Sequence, residues 1–371
     1  MLYSDNKRKI IIDGRKLKDF GIGTYIFHIF KFANNYYKEN LSLLCYPSHI
    51  SELMNLNINN SYYIPTTAKL YSLQEHILVS HLINKINFQL FHSPHYVVPI
   101  FIKCPTIVTI HDVIHLFYPS KGFLQKFIAK FLMKIAITKS YKIITVSNKS
   151  KIDIVKFFPN ASDKIITIYN GVDESFLDMP DEQQLKQISI NFSLPKKYIL
   201  YVGNNLKHKN IKRLLKGFEI FSSRNNDYYL ILVGGIKKNF VRRFVKKDTF
   251  NRIIILPFLD KQTLQCVYYL SDFLVMPSLY EGFGLPVLEA MACRTAVLCS
   301  DIPVFKELFA DIPCYINPYN INEIADGMLK LSNNESLKAE IAEMGYYKAQ
   351  ELLWENSCSK HIETYEQILK Q

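Results

Sequence analysis

Short runs of β-branched and aliphatic residues alternate with amphipathic stretches along almost the whole chain, and this alternation limits the fold more than any other feature. Strands that alternate with helices are typical of parallel sheets with helices on both faces. The pattern predicts an α/β protein with two doubly wound, Rossmann-like sheets. The strand-like runs, six for each sheet, are Ile10–Ile12, Leu41–Leu44, Phe88–Phe91, Ile107–Ile110, Ile143–Val146, Ile165–Ile168, Tyr198–Val202, Tyr229–Val233, Ile253–Leu256, Phe273–Met276, Ala296–Cys299 and Cys314–Ile316.

The length and composition of the chain fit two globular domains. Its 371 residues are 49% hydrophobic, which is enough to bury two ordinary cores. A polar stretch from Asp178 to Pro195, rich in Asp and Gln and bracketed by prolines, is predicted to be the linker. We therefore place an N-terminal domain at residues 1–180 and a C-terminal domain at residues 181–354, and we expect a ligand cleft between them.

The cysteines and the N-terminus indicate the compartment. Seven cysteines are scattered along the chain and none forms a C-x-x-C pair, which argues against a disulfide framework and against a zinc site. The charged residues from Asp5 to Lys9 lead directly into a strand-like run, without the apolar core of a signal peptide. No unbroken apolar run is long enough to span a bilayer. We expect a cytoplasmic protein that is not integral to a membrane.

The formal net charge of +12 implies an attraction to polyanions. Apolar residues at helical spacing, together with a stripe of Lys126, Lys130 and Lys134, predict a basic amphipathic helix near Phe123–Lys142. Two interpretations of this helix stay open: its apolar face lies in the domain core, or the helix rests on an anionic membrane. No zinc-finger, RNA-recognition or basic-zipper signature is present, so nucleic acid is not expected as a partner.

Two carboxylates, Glu281 and Glu289, flank a glycine loop that follows the run Phe273–Met276. Glycines let the backbone turn tightly against a ligand, and Pro286 suits the start of a helix. The amides of a helix N-terminus can hold a phosphate, and Glu289, about 5 Å along the axis, is within reach of a ribose hydroxyl. Taken singly, Glu281 is also explained as a solvated loop charge, and Glu289 as an acid that complements the helix dipole.

The complete string over residues 281–289, E-G-F-G-L-P-x-x-E, resembles the donor-site motif of the retaining glycosyltransferases of family four, the group 1 class with the GT-B fold. The resemblance implies that Glu289 holds the nucleotide ribose and that Glu281 lies beside the hydroxyls of the donor sugar. It also implies that a last helix, residues 355–371, crosses back to the N-terminal domain. The other donor-site residues of this motif are Gly282, Phe283, Gly284 and Leu285.

A second loop, Gly203–Asn210, follows the run Tyr198–Val202 and precedes a predicted helix. Loops at the carboxyl ends of strands are where α/β sheets bind ligands, although three basic residues before a helix also fit a plain surface loop. The resemblance implies that Lys209 binds the diphosphate. Asn204 stands where some relatives carry arginine, so we expect Arg213 to assist. The resemblance also places at the donor Gly203, His208 and Asn210.

His111 and Asp112 follow a strongly apolar run in the first domain. A lone histidine there is usually structural. The resemblance implies that His111 contacts the donor sugar and that Asp112 orients it or contacts the acceptor.

A glycine pair, Gly21 and Gly23, lies between the first run and the next helical stretch. Ile26 replaces the third glycine of G-x-G-x-x-G, so the dinucleotide fingerprint fails. The resemblance implies instead a flexible loop that closes over the donor phosphate and shapes the acceptor site, with Gly21, Gly23 and Thr24 as its candidates.

The activity implied by the resemblance is transfer of a hexose from a GDP- or UDP-linked sugar to a hydroxyl, with retention of the anomeric configuration. Glu281, Lys209 and His111 would be its catalytic residues. The chain has no D-x-D triplet, which fits stabilisation of the leaving group without a metal, and no cofactor is expected. The strings G-N-x-x-x-H-K-N and H-D-x-x-H look most like bacterial mannosyltransferases of O-antigen, capsule or other surface polysaccharide, with a glycan or lipid-diphosphate-linked acceptor and a peripheral place on the inner face of the membrane.

Two alternatives stay open at this stage. A non-hydrolysing sugar-nucleotide epimerase would share the two-domain shape and need no acceptor. A non-catalytic partner subunit is suggested by Arg294, where relatives usually have glycine, and by Ala296, where they often have proline.

Overall fold

The computed structural model describes residues 10–55, 61–119 and 122–370. The chain divides into two compact units. The first unit contains the chain up to Asn170 and again from Trp354 onward, and the second is Gly171–Leu353. The prediction that residues 178–195 form the linker is wrong, because these residues lie inside the second unit. They include a helix from Glu182 to Asn191.

Seven parallel strands form the sheet of the first unit. They are β1 (Ile10–Asp13), β2 (Leu41–Cys45), β3 (Tyr62–Pro65), β4 (Leu90–Ser93), β5 (Thr106–Thr109), β6 (Lys142–Thr145) and β7 (Ile165–Thr167). They lie in the order β3-β2-β1-β4-β5-β6-β7. The sequence analysis missed β3, because this edge strand exposes Tyr62, ends at a proline and has no buried apolar run.

Six parallel strands form the sheet of the second unit. They are β8 (Tyr198–Val202), β9 (Tyr229–Val233), β10 (Ile253–Leu256), β11 (Phe273–Met276), β12 (Ala296–Ser300) and β13 (Cys314–Ile316). Their order is β10-β9-β8-β11-β12-β13, so the direction of strand addition reverses between β8 and β11. The carboxyl ends of two such strands form the switch point where open α/β sheets bind ligands. The predicted fold class is confirmed in both sheets.

Helices connect the strands of both sheets and cover their faces. In chain order they are α1 (Phe20–Tyr37), α2 (Pro47–Asn55), α3 (Ser80–Ile86), α4 (Ile114–Phe117), α5 (Phe123–Lys139), α6 (Asn148–Phe157), α7 (Glu182–Asn191), α8 (Ile211–Arg224), α9 (Lys238–Arg242), α10 (Lys247–Phe250), α11 (Lys261–Tyr269), α12 (Leu285–Ala292), α13 (Pro303–Phe309), α14 (Ile321–Ser332), α15 (Glu335–Glu351) and α16 (Trp354–Leu369). The last of these, α16, packs against α1 and belongs to the first unit.

The predicted flexible loop with Gly21, Gly23 and Thr24 is wrong, because these residues form the first turns of α1. The amide of Gly23 donates to the carbonyl oxygen of Asp19 at 2.5 Å. A Cβ atom at Gly23 would lie 2.1 Å from the carbonyl oxygen of Leu17. Glycine is therefore required here by the close approach of the helix to the preceding turn.

The helix α5 turns its bulky apolar side outward. Small or slender residues face the core, namely Ala129, Met133, Ala136 and Ile137. The large apolar residues are exposed, namely Phe123, Leu124, Phe127, Ile128 and Phe131. The interpretation that places the apolar face of this helix in the core is therefore wrong. Within the part of the chain that the structure describes, no helix combines the length and the apolar character needed to cross a bilayer.

Candidate active site

Two loops of the second unit meet at the carboxyl ends of β8 and β11. The amide of Leu279 donates to the carbonyl oxygen of His208 at 2.7 Å. The side-chain amide of Asn210 donates to the carbonyl oxygens of Pro277 and Pro318 at 2.9 and 2.7 Å. The backbone of the predicted phosphate loop is thus fixed to the loop that carries the first carboxylate.

An ion pair joins the two predicted catalytic groups of these loops. The Lys209 ammonium donates to both carboxylate oxygens of Glu281, at 2.8 and 3.0 Å. The Ser278 hydroxyl donates to the same carboxylate at 2.7 Å. The side chains of Lys209 and Glu281 are only 15% and 9% exposed. Burial alone would raise the pKa of Glu281, but the charges of Lys209 and His208 and these hydrogen bonds outweigh it and lower the pKa. Glu281 is a carboxylate at neutral pH.

Asn210 and Arg213 support the loop itself. Asn210 adopts the left-handed conformation with φ of 58° immediately before α8. Its side-chain oxygen accepts a hydrogen bond from the Arg213 guanidinium at 2.9 Å, and Arg213 also lies over the ring of Tyr319. Because both groups of the Asn210 amide are occupied, its geometry is that of a residue that shapes the loop.

A glycine begins the helix that carries the second carboxylate. Gly284 has φ of 112°, and a Cβ atom there would lie 2.5 Å from the ring of Phe305. Pro286 is the second residue of α12. The amides of Val287 and Leu288 bond to the carbonyl oxygen of Gly284. The helix start therefore offers a phosphate fewer amides than the sequence suggests.

Glu289 faces a buried tyrosine from the first turns of α12. The Tyr268 hydroxyl donates to the Glu289 carboxylate at 2.9 Å. Burial raises the pKa of Glu289 to about 7, and the hydrogen bond from Tyr268 offsets only part of this increase. Glu289 therefore changes its charge near neutral pH. We refer to Lys209 and Glu281 of the two loops, together with Glu289 of the helix that follows the second loop, as the charged cluster.

The remaining predicted residues of the second unit line the same loops. Gly282 and Phe283 are buried between Glu281 and the start of α12, which Leu285 opens. Gly203 follows β8, and its amide bonds to the carbonyl oxygen of Val233.

Three residues of this region were missed by the sequence analysis, namely Gly234, Tyr268 and Ser278. A Cβ atom at Gly234 would lie 2.3 Å from the carbonyl oxygen of Gly203. The glycine pair directly after the run Tyr229–Val233 was the available signal for this contact.

In the first unit, His111 is held from two sides. Its Nε2 donates to the carbonyl oxygen of Pro94 at 2.9 Å, and the ring of Tyr25 meets it edge-on at a centroid distance of 4.8 Å. Burial lowers the pKa of His111 to about 4, although the hydrogen bond to Pro94 opposes this shift. The imidazole is neutral, with its lone pair on Nδ1. Asp112 accepts a hydrogen bond from the amide of Ile114 at 2.8 Å and so supports the start of α4.

Across residues 10–55, 61–119 and 122–370, no three His, Cys, Asp or Glu side chains are grouped so that they could hold a metal ion.

Comparison with known families assigns both units. The model described as "Glycosyltransferase Family 4" matches residues 48–176, and the model described as "Glycosyl transferases group 1" matches residues 182–348.

Curated relatives cover much of the chain. The O-antigen chain mannosyltransferase RfbU of Salmonella typhimurium is 31% identical over 260 residues, which are 67% of this chain and 69% of RfbU. The O-antigen chain mannosyltransferase B of Escherichia coli is 24% identical over 284 residues, 74% of each chain.

A solved structure shares the fold. The structure of Anabaena HepE in complex with UDP-glucose aligns with a TM-score of 0.77 at 16% identity, over 97% of this chain and 99% of HepE. The chain therefore has the GT-B fold, and it is a glycosyltransferase that belongs to the group 1, family four class.

Proposed function

We propose that this enzyme transfers mannose from a GDP-linked donor to a hydroxyl of a glycan or lipid-diphosphate-linked acceptor of a bacterial surface polysaccharide, with retention of configuration. The observation that carries the proposal is the charged cluster at the switch point of the second sheet. The names of RfbU and of mannosyltransferase B support mannose as the sugar. Because HepE binds UDP-glucose, a UDP-linked hexose is the alternative donor.

Each member of the charged cluster has a proposed role. An ammonium has three donors, and Glu281 takes up two of those of Lys209. The third donates to the departing diphosphate, whose developing charge needs such preorganised stabilisation. The Glu281 carboxylate accepts hydrogen bonds from hydroxyls of the donor sugar, and the Glu289 carboxylate accepts them from the hydroxyls of the ribose. We expect neither a metal nor a cofactor to be needed.

His111 of the first unit also has a proposed role. Because the Nε2–H donates to the carbonyl oxygen of Pro94, the lone pair on Nδ1 can accept a hydrogen bond from a sugar hydroxyl. In the proposed transfer, the bond from the anomeric carbon to the acceptor oxygen forms on the face from which the diphosphate leaves. The bond to the diphosphate oxygen breaks, and the acceptor's proton passes to the leaving phosphate.

A thermal-shift titration with GDP, UDP and ADP tests the donor site, with Glu289→Ala as the control. Nucleotide at about a hundred times its Kd stabilises the protein by roughly 2.7 kcal/mol. We expect a shift with GDP that the variant loses. A shift with UDP alone would overturn the proposal that GDP-mannose is the donor. No shift with any nucleotide would contradict the proposed donor site.

A turnover assay tests the reaction. We expect GDP-mannose to be consumed only when a glycan acceptor is added, and the proton NMR coupling of the product to report an α-anomer. Conversion of the nucleotide sugar without acceptor would indicate an epimerase instead. A β-linked product would contradict retention.

A second part of the proposal concerns location on the cytoplasmic face of the cell membrane. The α5 side chains Phe123, Phe127 and Phe131 are 79%, 66% and 58% exposed, and Lys130 and Lys134 are exposed beside them. Exposed apolar patches rimmed by basic residues are typical of helices that lie in an anionic membrane interface. We therefore infer peripheral contact through the helix near Phe123–Lys142.

Liposome flotation tests this contact with the Phe127→Ser, Phe131→Ser double variant. We expect the protein to float with vesicles that contain phosphatidylglycerol and the variant to stay behind. The matched control is Met344→Ser with Tyr347→Ser, which removes two exposed apolar side chains of α15 in the second unit. Equal loss in both double variants, or no flotation of the unaltered protein, would contradict the contact.

A further inference from the structure

Five buried side chains of the first unit form one continuous series of hydrogen bonds, which we call the histidine chain. Its members are Tyr365, His92, Thr109, Tyr25 and His361, and it ends on the carbonyl oxygen of Ser357. The five links measure 2.6, 2.8, 2.7, 2.7 and 2.7 Å in that order. All five side chains are fully buried. The histidine chain joins α16 to α1, β4 and β5, which are all far from it in sequence.

The carbonyl at the end fixes the direction of every proton. Because Ser357 offers only an acceptor, His361 carries its proton on Nδ1. Burial lowers the pKa of His361 to about 4, so Nε2 is a bare acceptor and the Tyr25 hydroxyl donates to it. The Tyr25 oxygen must then accept from the hydroxyl of Thr109.

The direction of the Thr109 hydroxyl fixes the remaining two links. The Thr109 oxygen accepts from Nε2 of His92. Burial, with the repulsion of nearby histidines, holds the pKa of His92 well below its ordinary value, so its Nδ1 is unprotonated and accepts from the Tyr365 hydroxyl. Every donor hydrogen of the chain is used once. A fully satisfied buried network of this kind fixes a unique arrangement of its members.

Both ends of the histidine chain lie on α16. Ser357, His361 and Tyr365 are spaced by four residues, so they share one face of the helix. Between them the chain passes through the neighbouring strands β4 and β5 and through Tyr25 of α1. The register of α16 on the first unit is therefore set by these hydrogen bonds.

The histidine chain also borders His111. The ring of Tyr25 packs edge-on against the His111 ring. Pro94, whose carbonyl holds Nε2 of His111, follows His92 by two residues, and His111 itself follows Thr109 by two. Each neighbour that orients this imidazole is thus attached to a member of the chain.

We propose that Tyr25 and His361 are positioning residues for His111, and that α16 acts on this imidazole through them without touching the substrate. The proposal rests on the proposed function only for the role of His111 in transfer. The hydrogen bonds and the packing of the Tyr25 ring stand independently of that role.

The test compares four variants. Tyr25→Phe keeps the ring beside His111 and removes the hydroxyl that links Thr109 to His361. His361→Leu removes the acceptor of that hydroxyl, whereas His361→Gln restores an acceptor near the position of Nε2. Tyr37→Phe is the matched control, because it breaks another bond between α1 and α16, the one from the Tyr37 hydroxyl to Glu366, outside the histidine chain.

Two measurements are made on each variant. The first is the pH at which His111 titrates, followed by NMR of protein with ¹⁵N-labelled histidine and assigned with His111→Asn. The second is kcat and donor KM for transfer from GDP-mannose. Burial lowers the pKa of His111, and a Tyr25 ring that is no longer tied to Thr109 and His361 packs less closely and admits water beside it. We therefore expect Tyr25→Phe and His361→Leu to raise the titration pH by about one unit toward the ordinary histidine value. We also expect both to lower kcat about 10-fold with KM little changed, because orientation is lost and binding is not.

His361→Gln and Tyr37→Phe should resemble the unaltered protein in both measurements. An unchanged His111 titration in Tyr25→Phe would overturn the proposal, and this variant decides the question if His361→Leu does not fold. A loss of kcat in Tyr37→Phe as large as in Tyr25→Phe would also overturn it. If His111→Ala keeps full kcat, the role of His111 in the proposed function is wrong, while the titration still decides the positioning.

Discussion

The histidine chain of the first unit and the charged cluster of the second are both polar groups placed near the ends of parallel strands, but they are built differently. The histidine chain is neutral, sealed from water and internally satisfied. The charged cluster carries an ammonium and carboxylates, and its Lys209 keeps some exposure to solvent. The hydrogen bonds of the histidine chain are all made within it, whereas the charged cluster keeps charged groups that can bind a ligand.

Energetics explain the difference. Burying a charge is costly unless it is paired. The pair of Lys209 and Glu281 therefore adds little to the stability of the fold, but it holds charged groups in position for a ligand. A neutral network with all donors used strengthens the structure but binds nothing further. Substitutions in the charged cluster should therefore lower activity first, whereas substitutions in the histidine chain should lower stability first.

The largest effect is expected for Lys209→Ala. Loss of a preorganised donor to a leaving group lowers kcat by about 10²–10³-fold. The variant should also be less stable, because the buried Glu281 carboxylate loses its partner. Steady-state kinetics with GDP-mannose and thermal unfolding measure both effects.

The control for this prediction is Lys209→Met combined with Glu281→Gln, which removes both charges. It should regain much of the stability of the unaltered protein and none of its activity. A normal rate in Lys209→Ala would remove this residue from the mechanism and erase the contrast between the two regions.

The next effect is expected for Thr109→Val in the histidine chain. Valine has nearly the shape of threonine, but it leaves Nε2 of His92 and the Tyr25 oxygen without their partner. We expect the free energy of unfolding to fall by about 2–3 kcal/mol, the usual cost of unsatisfied buried polar groups. Urea unfolding measures this loss.

Thr138→Val is the matched control, because the hydroxyl of this exposed threonine of α5 bonds to the carbonyl oxygen of Lys134 in its own helix. Its effect should stay within about 0.5 kcal/mol, as for most surface substitutions. Equal losses in the two variants would show that the chain stabilises no more than a surface hydroxyl.

Glu289→Gln separates stability from function inside the charged cluster. The pKa of Glu289 is raised to about 7, above its value in the unfolded chain. Its folded form thus holds a proton that the unfolded chain releases at lower pH, and the stability present below the unfolded pKa is lost as pH rises to about 7. Glutamine cannot titrate, so we expect the variant to be more stable than the unaltered protein at pH 8, by about 1–3 kcal/mol.

The same variant should bind GDP poorly. In the unaltered protein GDP should bind more tightly at pH 8 than at pH 6, because the carboxylate that accepts the ribose hydroxyls forms over this range. Thermal unfolding with and without GDP between pH 5 and 8 measures both effects. Parallel stability curves for the two proteins would contradict the raised pKa.

The charged cluster was more predictable from sequence than the histidine chain. Lys209 and Glu281 are 72 residues apart, but each follows a continuous apolar run, and β8 and β11 are neighbours in any sheet of this order. Tyr25 and His361 are 336 residues apart, and no local pattern connects them. The contact depends on how α16 returns to the first unit. The resemblance implied this return, but it did not indicate which residues of α16 make the contact.

The helix α5 shows a second limit of sequence patterns. Its periodicity correctly predicted an amphipathic helix, but periodicity does not say which side faces the core. Packing decided it, because Ala129, Met133 and Ala136 are buried in the core of the first unit while the phenylalanines face water. The glycines of α1 were misread for a similar reason, since a close approach and a mobile loop both select glycine.

The smallest effect is expected at Arg294, a charged residue of the second unit outside the charged cluster. Arg294 follows the end of α12 with φ of 53°, the left-handed position where helices favour glycine. Its guanidinium lies 3.6 Å from the ring centre of Tyr346, a contact worth about 0.5–2 kcal/mol. The strain of a left-handed non-glycine residue is of similar size, about 1–2 kcal/mol.

Arg294→Gly should therefore change the free energy of unfolding by less than about 1 kcal/mol, since it relieves the strain and loses the ring contact together. Arg294→Ala keeps the strain and loses the contact, so it should be the less stable of the two, and kcat should be unchanged in both. Urea unfolding and transfer kinetics measure these outcomes. A large loss of kcat in Arg294→Gly would extend the charged cluster to this residue, because a substitution that costs little stability would then be acting on the chemistry.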